Sequence, residues 1–301
     1  MAFTPHIMNM ERELLSRKTY SGKHYTILNG DANEVIDAVE DGSVSSIITS
    51  PPYWGLREYS DDTTHEIGIE PIIDDYINNL TALFRKARTK LADDGTLWLN
   101  IGDVYTSGNR RTKVADSAAS PGSGRATTAL RPKTPEGLKP KDMIGLPWLV
   151  AHALQADGWY VRSDIIWLKP NQFPEGSVKD RPFNNYEHVF LMSKSQRYYY
   201  DYQHDMEKTA DGKGYRRGRA VWTIPTSRGV DGHPAVMPLE LAERCITLGS
   251  REHDVIMDPF SGSGTTGVAA LMHGRDFVGM ELNDVYAQKS ATRLEEVDSP
   301  H

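Results

Sequence analysis

Asp254-Val255-Ile256-Met257-Asp258-Pro259-Phe260-Ser261-Gly262-Ser263-Gly264-Thr265-Thr266-Gly267-Val268-Ala269-Ala270-Leu271-Met272 decides the fold class of this chain. Its opening residues form a short apolar run, read as a buried strand. A glycine turn follows, and then a small-residue apolar pattern that reads as a helix. Glycines let a ligand approach the backbone closely, and a helix N-terminus adds oriented N–H groups. Gly262-x-Gly264-x-x-Gly267 matches the dinucleotide fingerprint, and Glu281, at the end of the next apolar run (Phe277 to Met280), lies at the ribose-binding distance. Alone, that match also fits a nicotinamide-dependent oxidoreductase.

A second stretch, far away in sequence, narrows the reading. Val44 to Ile48 is another buried strand, and Thr49-Ser50-Pro51-Pro52-Tyr53-Trp54 follows it. Two consecutive prolines end regular structure, because neither has a backbone N–H and each fixes φ. The strand tip is therefore a rigid turn with a hydroxyl, carbonyl acceptors and an aromatic face, a set suited to a flat substrate with an exposed amino group. This turn resembles the catalytic motif of DNA amino-methyltransferases, which methylate N6 of adenine or N4 of cytosine. Asp258-Pro259-Phe260 with the glycine turn, and Gly279-Met280-Glu281, resemble the S-adenosylmethionine (SAM) site of the same group. The resemblance covers about 27–294. It implies an α/β, Rossmann-like SAM-dependent methyltransferase fold, mostly parallel, with helices on both faces and inserted DNA-recognition segments. With the target-base motif N-terminal and the cofactor motif C-terminal, it resembles the permuted β group.

The resemblance also implies roles. Ser50 and the Pro51 carbonyl accept the two amino hydrogens, Pro52 stiffens the turn, and Tyr53 stacks on the base with Trp54 as a second wall. Asp258, Pro259, Phe260, Gly262, Gly264, Thr265, Thr266 and Glu281 form the cofactor site. Asp31, after the strand Tyr25–Leu28, contacts the cofactor's adenine or caps the helix from Asn33 to Val39. His233 and Pro234, ahead of the helix Leu239–Leu248, support the methionine end.

The 301 residues allow one large α/β domain with an inserted recognition region. Hydrophobic content of 39% suits a soluble globular protein, no run approaches a membrane span, and no signal pattern opens the chain, so a cytoplasmic location is expected. The single cysteine, Cys245, excludes an internal disulfide framework and a cysteine zinc cluster. It reads as a packing residue. No Pro-Cys nucleophile is present, which argues against methylation at carbon 5 of cytosine, a reaction that needs a thiolate.

The net charge of −7 hides a local excess of the other sign. Between Ser107 and Lys141, Arg110, Arg111, Lys113, Arg125, Arg131, Lys133, Lys139 and Lys141 face only Asp116 and Glu136. This Ser-, Thr-, Gly-, Pro- and Arg-rich stretch, about 106–141, is expected to be a mobile DNA-facing segment. A second insertion, about 195–232, sets Tyr198-Tyr199-Tyr200-Asp201-Tyr202 ahead of Arg216, Arg217 and Arg219. It reads as a base-stacking and phosphate-binding element or, on equal terms, as a twisted edge hairpin. Arg57 joins the expected DNA contacts. Residues 1–22 read as an N-terminal arm, 23–298 as the catalytic domain, and Asp94-Gly95 as a turn. Glu187-His188 resembles a family element, with His188 structural.

The expected reaction is direct transfer of a sulfonium methyl to the exocyclic amine of a base flipped out of double-stranded DNA, without a metal. Aspartate in place of Ser50 is the commoner adenine form of the motif, and serine appears often in cytosine-N4 enzymes. The extended stretch Thr49 to Tyr59 resembles solitary or prophage-type adenine methylases and tips the expectation to N6 of adenine, with N4 of cytosine the alternative. A non-catalytic DNA-binding module would leave the cofactor motif unexplained, and RNA stays a minor option. Oligomeric state, with a homodimer among the options, recognition sequence and any restriction endonuclease partner are open.

Overall fold

A computed structural model describes residues 18–55, 66–106, 134–173, 179–209, 211–227 and 237–299. Eleven strands and six α-helices alternate along these residues. The strands are β1 (Thr19–Ser21), β2 (Tyr25–Asn29), β3 (Val44–Thr49), β4 (Leu91–Ile101), β5 (Tyr160–Leu168), β6 (Tyr186–Ser193), β7 (Met206–Lys208), β8 (Tyr215–Arg217), β9 (Val221–Thr223), β10 (Val255–Asp258) and β11 (Asp276–Glu281). The helices are α1 (Ala32–Val35), α2 (Ile73–Lys90), α3 (Leu146–Ala156), α4 (Leu239–Gly249), α5 (Thr265–Met272) and α6 (Asp284–Asp298).

Nine strands form one sheet in the order β1-β2-β11-β10-β3-β4-β6-β5-β9, and β7 and β8 pair by themselves. From β2 to β4 every neighbour is parallel, whereas β1 and β6 run antiparallel to the strands beside them. Strand residues alternate between the two faces, as a period of two requires. Val255 and Met257 join the core that holds α1, α2 and α3, and Ile256 joins the core that holds α4, α5 and α6. The expected α/β architecture, mostly parallel with helices on both faces, is the observed one.

Local chemistry fixes the element ends. Asp31 accepts from Asn33 N at 2.9 Å and caps α1, while Asn283 accepts from Val285 N and Tyr286 N and caps α6. Gly267, inside α5, lets the helix lie on β11: an added Cβ would stand 2.5 Å from Cδ1 of Phe277. Cys245 is buried, as a packing residue should be.

Two readings need correction. Asp94-Gly95 is not a turn that separates α2 from a later strand, because β4 begins at Leu91. The pair sits in a register shift between Val44↔Leu91 and Ser46↔Thr96. Its carbonyls are taken up there by Tyr199 N and Lys194 N, which gives the extended backbone partners. The expected N-terminal arm also ends sooner, since Thr19–Ser21 pair antiparallel with β2 as the edge of the sheet.

Candidate active site

The crossover after β10 leads through α5 to β11 on one side, and the crossover after β3 leads through α2 to β4 on the other. Neighbouring strands whose connections diverge leave a crevice at their carboxyl ends, where open α/β sheets bind ligands. Here those ends are the Ser-Pro-Pro-Tyr turn and the glycine turn, some two hundred residues apart in sequence.

One side chain holds the two turns together. Asp258 Oδ1 accepts from Thr49 Oγ1 at 2.6 Å and from Phe260 N at 3.0 Å, and Oδ2 accepts from Thr266 Oγ1 at 2.8 Å. Burial pushes this carboxyl up to about 6, against the pull of those three donors. Asp258 was expected among the cofactor ligands. It lines the cleft, but its hydrogen bonds go to the chain and make it the clamp between the turns.

The cleft is about 520 Å³. Asp31, Pro259, Phe260, Gly262, Thr265, Thr266 and Glu281 line one end, and Ser50, Pro51, Pro52 and Tyr53 lie along the other side. The sequence thus brings both expected groups to one cavity. Glu281 Oε2 accepts from Gly262 N at 2.9 Å and Oε1 from Asn283 N at 2.8 Å, while burial raises its carboxyl to about 7. The hydroxyls of Ser261 and Thr265 are buried in the cleft wall without a hydrogen-bond partner among the described residues. Gly264 does not line the cleft. Its Cβ position would fall 2.3 Å from Ser290 Oγ, so its task is to let α6 approach.

At the other end, Tyr76 Oη donates to the Pro52 carbonyl at 2.9 Å and fixes the proline turn. Ser50 Oγ lies 3.5 Å from Tyr53 Oη, which donates to Glu187 Oε2 at 2.8 Å. Asn100 Nδ2 donates to the same oxygen at 3.0 Å, and Lys169 Nζ forms an ion pair with Oε1. Lys169 also lies 4.3 Å from the centroid of the Trp167 ring. Burial, and then the Glu187 charge, hold the Tyr53 phenol well above its usual range. Asn100, Lys169 and Glu187 all line the cleft, and none was singled out from sequence as a site residue. Each lies near or just beyond the end of a different strand, so nothing local marked them as a group. The available signal was a polar side chain at the carboxyl end of an apolar strand, as at Asn100 and Lys169.

Trp54 corrects an expectation. It is 4% exposed, packs in the α2 core and donates from Nε1 to the Glu70 carbonyl at 2.7 Å. It anchors the start of its loop and offers no wall to a base. His188 lies outside the cleft lining, with Nδ1 2.8 Å from Asp164 Oδ1 and its ring stacked on Phe190.

Arg216 and Arg217 lie on the β7–β8 hairpin, and Arg219 is exposed just beyond it. None lines the cleft. Arg216 is 3.8 Å from Glu207, which with Asp205 also faces Arg244 of α4. The segment does form a hairpin, but as a two-stranded sheet of its own and not at the edge of the main sheet. His233, Pro234, Arg57, Arg110, Arg111, Lys113, Arg125 and Arg131 lie outside the described residues. Among the described residues, no helix is long and apolar enough to cross a membrane, and no cluster of potential ligands could hold a metal ion.

The DNA methylase family profile (N6/N4 methyltransferases) matches residues 44–292. The chain is 47% identical to the type II methyltransferase M.Cfr9I of Citrobacter freundii, over 91% of this chain and 89% of that protein. It is 49% identical to the type II methyltransferase M.SmaI of Serratia marcescens, over 89% and 90%. Among solved structures, the cytosine-N4-specific PvuII DNA methyltransferase superposes with a TM-score of 0.67 at 19% identity, covering 92% of this chain and 91% of that one. The SAM complex of M1.HpyAVI gives 0.58 at 20% identity, covering 90% and 98%.

Proposed function

This chain belongs to the N6/N4 DNA methylase family, and on that premise we propose that it transfers the methyl group of SAM to N4 of a cytosine flipped out of duplex DNA. The observation that supports the reading is the Thr49–Asp258 hydrogen bond, which holds the Ser-Pro-Pro-Tyr turn beside the glycine turn in one cleft. The volume lies within the ~300–1,000 Å³ of small-molecule sites.

The chain's own groups fit the cofactor. Glu281 presents a carboxylate at the expected ribose position, Phe260 an apolar surface, and Ser261 and Thr265 two buried hydroxyls without partners. When bound, SAM supplies a methyl group made electrophilic by its sulfonium. The exocyclic amine is a poor nucleophile, because its lone pair is delocalised into the ring. Ser50 Oγ and the Pro51 carbonyl accept its two hydrogens and favour a more tetrahedral nitrogen with its lone pair free. Catalysis on this reading is orientation and electrostatics. A stacked base cannot reach a cleft at the sheet edge, so it must be flipped out. The arginines of the β7–β8 hairpin and the basic run 107–141 are assigned to the phosphates.

Cytosine is favoured by serine at position 50 and by the cytosine-N4-specific enzyme among the fold neighbours. Adenine N6 is the second reading, on the likeness of Thr49–Tyr59 to adenine methylases. Of that stretch, 56–59 lie outside the described residues.

Mass spectrometry of nucleosides, after incubation of the protein with SAM and unmethylated duplex DNA, tests the proposal. N4-methylcytosine is the expected product. N6-methyladenine would reverse the base assignment and keep the mechanism. Absence of any methylated nucleoside, with SAM bound, would overturn the DNA substrate.

A further inference from the structure

Building on the methyl-transfer reading above, we propose that Glu187 is the final acceptor of the amine proton, reached through the hydroxyls of Ser50 and Tyr53. Alkylation leaves the exocyclic nitrogen with one bond too many and a positive charge. One N–H proton must then leave, and the cleft has to provide a route. Pro51 offers only a carbonyl, which can hold a hydrogen but cannot pass a proton on. Ser50 offers a hydroxyl, which can accept one proton and release another.

The side chains behind Ser50 continue that route. Ser50 Oγ is 3.5 Å from Tyr53 Oη, and Tyr53 Oη is 2.8 Å from Glu187 Oε2. The first step is the longest, and catalytic hydrogen bonds of this kind tighten when substrate binds. Tyr53 is held in its neutral form by burial and by the Glu187 charge, so it has both a proton to give and lone pairs to receive one. Lys169 pairs with Oε1 of Glu187, which orients the carboxylate with Oε2 towards Tyr53. Asn100 donates to that same oxygen and fixes it further.

The step balances. The amine N–H bond breaks and its electron pair stays on nitrogen as the restored lone pair. Ser50 Oγ gains that proton and gives its own to Tyr53 Oη, which gives its own to Glu187 Oε2. Both hydroxyls end as they began, and a neutral carboxylic acid replaces the carboxylate. The three transfers occur in concert, so neither hydroxyl carries a charge; an exocyclic amine with a fourth bond is a far stronger acid than a carboxylic acid, and the relay runs downhill overall. A role limited to holding Tyr53 in place would need only an acceptor oxygen at this position. Proton acceptance needs a base.

That difference defines the test. Glu187→Gln keeps the shape and an oxygen for Tyr53 but cannot take a proton, and Tyr53→Phe keeps the ring and cuts the chain. Single-turnover methyl transfer is measured for wild type, both variants and the double variant, with duplex DNA and SAM saturating and SAM affinity determined in parallel. Each single variant is expected to slow transfer by about 100-fold or more, with SAM affinity within about twofold. The double variant should be no slower than the worse single one, because groups acting as a unit are not additive. A Glu187→Gln rate within about threefold of wild type, or losses that multiply in the double variant, would overturn the relay. If Glu187→Gln fails to fold, wild-type speed in Tyr53→Phe overturns it equally. Absence of transfer by the wild-type enzyme would instead count against the methyl-transfer reading itself.

Discussion

Replacing Thr49 with valine removes one hydroxyl from the clamp between the two turns and leaves the side-chain shape nearly unchanged. Thr49 is fully buried, so no water can replace its 2.6 Å donation to Asp258. Asp258 keeps Phe260 N and the Thr266 hydroxyl. With its carboxyl raised to about 6, Asp258 is ionised at about pH 8, and the lost bond is charge-assisted. Such bonds contribute roughly 1.5–3 kcal/mol, equivalent to about a 10- to 150-fold change in the folded-to-unfolded ratio. At about pH 5 the carboxyl is protonated and the same bond is worth only ~0.5–1.5 kcal/mol. A carboxyl raised by folding holds its proton longer in the native state. Its stabilising contribution is therefore greatest in acid, below its unfolded range, and is lost as pH climbs through about 6. Removing a donor to the charged form raises the carboxyl further and extends that loss to higher pH. Urea titrations at about pH 8 and about pH 5, extrapolated linearly to water, measure both effects. A variant within about 0.5 kcal/mol of wild type at pH 8, or one equally destabilised at both values, would refute the reasoning.

Other outcomes follow from the same geometry. Tyr53→Ala should lose most methyl transfer while isothermal titration finds SAM binding intact, and equal loss of SAM affinity would contradict the division of the cleft. With Glu281 raised to about 7 and required as a carboxylate, SAM should bind about tenfold more weakly at pH 6 than at pH 8, a dependence that Glu281→Gln abolishes. Trp54→Ala should lower stability by roughly 3–5 kcal/mol in denaturant titrations, since it empties a buried site and strands the Glu70 carbonyl. Gly267→Ala should be destabilised by about 1–3 kcal/mol in the same assay, because its methyl group would meet the Phe277 ring.

The two turns were legible in the sequence because each signature is local. A strand that runs into two prolines, and a strand that runs into spaced glycines, announce themselves within a few residues. Their meeting at one cleft followed from the rule for open parallel sheets. The residues behind the turns were hidden for the opposite reason. Glu187 enters from an antiparallel strand, Lys169 follows β5 and Asn100 lies near the end of β4, so only tertiary structure makes them neighbours. Trp54 misled because its neighbours in sequence belong to the site while its indole turns into the core. Periodicity could not show which way a single aromatic beside a rigid turn would point.

The strand order has a consequence for how the chain reaches this state. β2 and β3 follow one another in sequence, yet β11 and β10 lie between them in the sheet. Until the residues from Val255 onward have been synthesised, β2 and β3 lack the neighbours that fill the gap, and both carry open edges liable to pair wrongly. Closing that gap joins segments separated by most of the chain, which makes it a slow event in folding. A ribosome-bound chain can carry its Ser-Pro-Pro-Tyr turn well before it can carry the strand and glycine turn beside it. The seam that makes the enzyme is thus the last to close, and insertion of the C-terminal β10-α5-β11 unit, not collapse of the N-terminal half, sets when activity can appear.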